Sequence, residues 1–166
     1  MGADLAADPP LPRSAQPERS PARLTAAPGA DLHLVLQADF LSVRHVLRVV
    51  RARLGSTLSA SAAGNLELVL AEVMNNIVRH AYHGQGGRID LRIGAEPNAL
   101  FCRLTDQGSA MPTGGLPDPP RPCTDLPVAD LPEGGFGWWI VLDLAEDLQY
   151  RRTADRNVVQ FRMVLN

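Results

Sequence analysis

Proline placement decides where this chain can build regular structure. Of its 14 prolines, six fall within residues 1–30, seven within 107–134, and Pro97 alone lies elsewhere. Each proline removes a backbone donor and fixes φ, so a dense cluster excludes helix interiors and central strands. Regular elements are therefore expected within 31–106 and from 135 onward. Residues 1–30 are also rich in alanine and carry almost no periodic apolar pattern. They read as a disordered tail, for which docking to a partner is the functional alternative. Residues 107–134 form a loop of 28 residues, against a usual connection of about 4–6. A loop that long in a compact domain is expected to be a functional lid or disordered.

Between these segments the periodicities alternate. Leu32 to Ala38 places Leu32, Leu34 and Leu36 on one face of a strand. Phe40 to Leu54 spaces Leu41, Val43, Val46, Leu47, Val50 and Leu54 as a helix, with Asp39 or Ser42 as cap and four arginines around the wheel. Gly55-Ser56-Thr57 ends it. A second helix, capped by Ser59 or Ser61, runs to about Tyr82 with Leu66, Leu70, Val73 and Ile77 in one stripe. Arg88–Ala95 and Ala99–Thr105 read as a hairpin turning at Glu96-Pro97-Asn98. Beyond the lid, Gly135–Ala145 reads as a helix. Leu148–Thr153 and Asn157–Leu165 form a second hairpin through Ala154-Asp155-Arg156. This order implies an α/β, two-layer (α+β) sandwich: a mixed, mostly antiparallel sheet with helices on one face, in one domain over 31–166.

Several function classes are excluded. Net charge is −2 and no basic stripe is present, so nucleic acid is not an expected partner. No run approaches 18 apolar residues, so no spanning helix is expected. The acidic, proline-rich start has neither the basic nor the apolar region of a secretory signal, and Ala6 breaks the myristoylation pattern. Cys102 and Cys123 give no disulfide framework or metal spacing, which suits a reducing, cytoplasmic setting.

Three motifs carry the chemistry. Glu72, Asn76 and His80 recur every four residues on the second helix, beside its apolar stripe. Carboxylate and amide oxygens suit Mg²⁺, and a carboxylate can take a proton from a nucleophile. Asp106-Gln107-Gly108 follows directly at a strand end. There a buried carboxylate can accept from an exocyclic amine, and the glycine lets the backbone approach a flat ligand. Glu133-Gly134-Gly135-Phe136-Gly137-Trp138-Trp139 runs glycines into a helix start, where free amides and the macrodipole attract phosphate. It is neither a Walker A loop nor a dinucleotide fingerprint.

In this order and at these distances the motifs resemble those of the Bergerat-fold (GHKL) ATPases, which include gyrase B, MutL and the histidine kinases. The chain is most similar there to the small anti-sigma-factor serine/threonine kinases of bacterial partner switching. Glu72…Asn76…His80-Ala81-Tyr82, Asp106-Gln107-Gly108 and Gly135-Phe136-Gly137 match the three family boxes. The ending Tyr150-Arg151-Arg152-Thr153…Asn157-Val158-Val159 is similar to that of the small kinases. The likeness covers roughly 32–165.

The resemblance implies an ATP-binding fold. In it Asn76 coordinates Mg²⁺ and Glu72 is the general base. Asp106 binds the adenine amine, and Gly108 lets the base lie close. Gly135, Phe136 and Gly137 border the phosphates, and His80 is a pocket-lining or structural residue. It implies ATP and Mg²⁺ as cofactors and an anti-anti-sigma-type protein as phosphoacceptor. It further implies a sigma factor or another regulator as the sequestered partner, and a homodimer. His80 is not read as the acceptor of a histidine kinase, because no second helical hairpin carries a dimerising module. Two departures bear on catalytic efficiency more than on nucleotide binding. Ser109-Ala110-Met111-Pro112 follows the second box, and Glu133-Gly134 stands where some relatives carry a basic residue, with Arg121 in the lid as a candidate substitute. A nucleotide-gated binding module without transfer and a simple ATP hydrolase are the competing readings.

Overall fold

The computed structural model describes residues 31–112, 114–118 and 136–165. The expected tail 1–30, Gly135, Arg121, Glu133-Gly134 and most of the lid lie outside the described residues. Strand β1 (Leu32–Gln37) leads into helix α1 (Phe40–Leu54) and helix α2 (Ala60–Asn76). Asp39 starts α1: its Oδ1 accepts from Ser42 N at 2.8 Å and its Oδ2 from the Ser42 hydroxyl. Those bonds hold the Asp39 carboxyl below its ordinary value. Val43, Val46, Val50 and Leu54 are the buried stripe of α1. Ser59 caps α2 through Ala62 N at 3.2 Å, and Leu66, Val69, Leu70, Val73 and Met74 are buried along it.

The expected single helix to Tyr82 divides at Asn76. Residues Ile77–Ala81 form a π turn, closed by Tyr82 N donating to Ile77 O at 3.1 Å. Strands β2 (Arg88–Glu96) and β3 (Ala99–Asp106) make the first hairpin. Helix α3 (Phe136–Leu144) and strands β4 (Glu146–Thr153) and β5 (Arg156–Val164) complete the order.

The sheet runs β1-β2-β3-β5-β4, and its four pairings are all antiparallel. The expectation of a mixed sheet is corrected in this respect. Two antiparallel helices return the chain to the end where β1 finished, so Gln37 pairs with Arg88. The strands β3 and β4 share a direction, but β5 separates them. The inward phase is mostly apolar: Ile89, Leu91 and Ile93; Cys102 and Leu104; Val159, Phe161 and Met163. These residues join the buried faces of α1 and α2 and Val141 of α3 in one core. Two positions in that inward phase are not apolar. Asp106 and Asn157, each 3% exposed, are the buried polar residues among those described. They pair across β3 and β5 at one end of the sheet.

Candidate functional site

A cavity of about 220 Å³ opens at that end of the sheet. The second helix and its π turn supply Val73, Asn76, Ile77, His80 and Ala81 to its wall. Asp106 and the chain after β3 supply the floor through Ser109–Pro112 and Pro117. Trp138, Tyr150, Asn157 and Val159 close the far side. The wall is largely apolar with a few polar groups, the usual make-up of a small-molecule site.

Asp106 is held from one side only. Its Oδ1 accepts from Gly108 N at 2.8 Å and from Asn157 Nδ2 at 2.7 Å. Its Oδ2 takes no partner among the described residues. Burial pushes the carboxyl above its ordinary value of 3.8, against the Asn157 bond, the Gly108 amide and the Arg152 charge, which pull it down. An oxygen acceptor is thus fixed in an apolar wall, suited to an N–H donor on a ligand.

The chain leaving β3 is fastened on both sides. Ser109 N donates to Ala81 O at 2.8 Å, and Gln107 N donates to the Tyr82 hydroxyl at 3.0 Å. That hydroxyl donates onward to Arg88 O at 2.8 Å. Gly108 lies so close to the π turn that a Cβ there would stand 2.6 Å from the carbonyl carbon and oxygen of Ala81. On the other side Arg152 donates to Gly108 O at 2.9 Å, and Met111 N donates to the Tyr150 hydroxyl at 3.1 Å.

The helix motif divides between the cavity and its border. Asn76 is in the wall, and its amide Nδ2 is buried with no hydrogen-bond partner. Leaving such a group unpaired costs about 1–3 kcal/mol. His80 is also in the wall, although exposed. Glu72 is not: it reaches the first turn of α3, where a Cβ on Gly137 would fall on its carboxylate. A helix N-terminus favours a negative group there, whether carboxylate or phosphate. Phe136 opens α3 and is part-buried but outside the cavity wall.

The structure therefore gathers Asn76, His80 and Asp106 around one cavity, with Gly108 against its rim and Glu72 and Gly137 together beside it. Gly135 lies outside the described residues. Among the described residues no cluster of three or more His, Cys, Asp or Glu could hold a metal ion unaided. Mg²⁺ ordinarily takes one or two protein oxygens plus phosphate and water, so Asn76 with a bound phosphate suits it.

Sequence reasoning had Tyr150, Arg152 and Asn157, which hold the floor, only as part of the family-like ending, Val73 only in the apolar stripe and Met111 only as a departure after the second box, and placed none of them at the site. Asn157 did carry a signal: it extends the inward phase of Val159, Phe161 and Met163 with a polar side chain. The apolar wall residues carry none, because core and cavity lining look alike in a periodic stripe.

A model of the histidine kinase-like ATPase domain matches residues 36–163. The serine-protein kinase RsbW of Bacillus cereus (strain AH820) is 27% identical over 101 residues, 60% of this chain and 63% of that protein. The proteins of the same name from Bacillus anthracis and Bacillus thuringiensis (strain Al Hakam) give the same identity and coverage. The chain thus spans about 63% of the length of these curated relatives.

Proposed function

Since the chain belongs to the histidine kinase-like ATPase domain family, we propose that it binds Mg-ATP in this cavity and transfers the γ-phosphoryl group to a serine or threonine of a protein. The acceptor is of the anti-anti-sigma kind, and the second partner, held when not displaced, is a sigma factor or similar regulator. The working form is a homodimer. The relatives named serine-protein kinase support the transfer. One observation carries the reading: among the described residues Asn76 Nδ2 and Asp106 Oδ2, both without a hydrogen-bond partner, share a largely apolar wall. Each lacks what a nucleotide provides, an acceptor for the first and an N–H donor for the second.

In this mechanism Asp106 Oδ2 accepts from the exocyclic amine of adenine. Gly108 leaves room beside the π turn, and Val73, Ile77 and Met111 shield the base from water. The phosphates extend toward α3, whose first-turn amides receive them together with the backbone around Gly135 and Gly137. Asn76 would hold Mg²⁺, and the ion would offset the charge that builds on the phosphates. The acceptor hydroxyl attacks the γ-phosphorus while its proton passes to Glu72. The new O–P bond forms as the bond to the β-phosphate oxygen breaks, and ADP leaves. Glu72 stands at the α3 end, where the γ-phosphate would arrive, which suits a base and not a base-recognition residue.

Calorimetric titration with ATP, with and without Mg²⁺, tests the binding. Micromolar, Mg²⁺-dependent affinity is expected, and absence of binding would refute the site. Glu72→Gln should keep ATP affinity and lower phosphotransfer by about 10²–10⁴-fold. Asn76→Ala should abolish the Mg²⁺ dependence. Transfer at the native rate by Glu72→Gln would remove the base from the mechanism.

A second reading has its own support. Among the described residues the cavity wall carries no arginine or lysine to offset phosphate charge. That favours a nucleotide-gated binding protein, whose partner choice follows ATP or ADP with little transfer. Stable ATP in the presence of a bound partner would select it.

A further inference from the structure

Asn157 is the most heavily bonded side chain at the cavity. Its Nδ2 donates to Asp106 Oδ1 at 2.7 Å, to Ser109 O at 3.0 Å and to Gly108 O at 3.2 Å. Its Oδ1 accepts from the Tyr150 hydroxyl at 2.8 Å and from Arg152 at 2.7 Å. The amide cannot turn over. Reversed, its oxygen would meet a carboxylate and two carbonyls, and its NH₂ would meet two donors. Its orientation is thereby fixed from both ends in a buried position, where unsatisfied groups are costly.

Resting on the reading of the cavity as an ATP site, we infer that Asn157 is a specificity-determining residue. By engaging Oδ1 of Asp106 from behind, it leaves Oδ2 as a fixed acceptor. That acceptor admits a purine bearing a 6-amino group and rejects one bearing a 6-carbonyl. Asn157 is part of the cavity wall, and it acts on the choice of base through Asp106. Its bonds to the Gly108 and Ser109 carbonyls hold the chain after β3 in the same arrangement, so base choice and the course of that chain are set by one amide. The charge of Arg152, anchored on Asn157 Oδ1 and Gly108 O, supports the ionised form of Asp106 on which the selection depends.

Asn157→Asp is the sharpest test, since it keeps the shape and the acceptor for Tyr150 and Arg152. It replaces the amide nitrogen by an oxygen facing the Asp106 carboxylate. Two carboxyls in contact share a proton, so Asp106 no longer offers only an acceptor. Affinities for ATP and for inosine triphosphate, which carries a 6-carbonyl, are measured by calorimetry on the native protein and the variant. The native protein should prefer ATP. The variant should lose about tenfold or more of that preference, the equivalent of one hydrogen bond. A merely structural role would weaken both nucleotides together and leave the ratio unchanged, and that result overturns the inference. Native protein that binds neither nucleotide overturns the ATP reading, and the inference with it. Native protein that binds both equally overturns the inference alone. Should Asn157→Asp fail to fold, the double variant Tyr150→Phe, Arg152→Ala removes both donors to the Asn157 oxygen and leaves Asn157 in place. It should lower the same ratio, and an unchanged ratio in that variant overturns the inference equally.

Discussion

At the residue scale, Asp106 shows a conflict between stability and recognition. A carboxylate is 3% exposed at a strand end where a neutral amide of the same shape would fit. Its folded-state pKa lies above 3.8 because burial disfavours the charge. The folded protein therefore holds this proton longer than the unfolded chain does. Stability falls as pH rises from 3.8 through the folded value, and the loss is complete above it. Asp106→Asn removes that dependence and keeps an oxygen for Gly108 N and Asn157. It is expected to melt higher than the native protein at pH 7 and to lose the advantage near pH 3.8, read from thermal melts across that range. Its ATP affinity should drop by about tenfold or more, because an NH₂ then faces the amine of the base. A lower melting temperature at pH 7 would contradict the account of Asp106. Such residues were legible in part: Asp106 and Asn157 interrupt the apolar inward phase of their strands, and only Asp106 also sits in a glycine motif that draws attention to it.

At the element scale, the π turn at Ile77–Ala81 is what brings the helix motif and the β3 exit together. It ends α2 and offers Ala81 O to Ser109 N. It also places the Tyr82 hydroxyl between Gln107 N and Arg88 O. π turns recur where a helix serves a site. Gly108→Ala would drive a methyl into the Ala81 backbone at 2.6 Å. Neither side can yield as a flexible side chain would. A loss of about 1–3 kcal/mol in denaturant unfolding is expected, as for other overpacked positions, together with weaker ATP binding. Helix α1 was legible to the residue, because a capping Asp and a closing glycine bracket a clean apolar stripe. The π turn was not. One extra residue in the turn leaves the apolar pattern before Ile77 intact, and the turn's contact with Gly108, 27 positions beyond Ala81, is not encoded in local periodicity. The helix motif was read as one face, yet Asn76 and His80 line the cavity while Glu72 turns to α3.

At the scale of the whole molecule, the two-layer architecture followed from the alternation of periods along the chain, whereas the strand order did not. That β5 inserts between β3 and β4 depends on pairings between distant segments, which local periodicity does not encode. The central strand of that order is β3, and Cys102 lies in it between Ile93 on β2 and Phe161 on β5. Its thiol is fully buried, and burial pushes its pKa far up. Thiolate chemistry there needs the core between the sheet and the helices to open. With Cys123 replaced by serine, the alkylation of Cys102 in native buffer therefore becomes a stopwatch for opening of the core. Nucleotide at about 100 times its dissociation constant should slow it about 100-fold. The protein thus contains its own recorder of occupancy, one sulfur atom that reports a ligand it never touches.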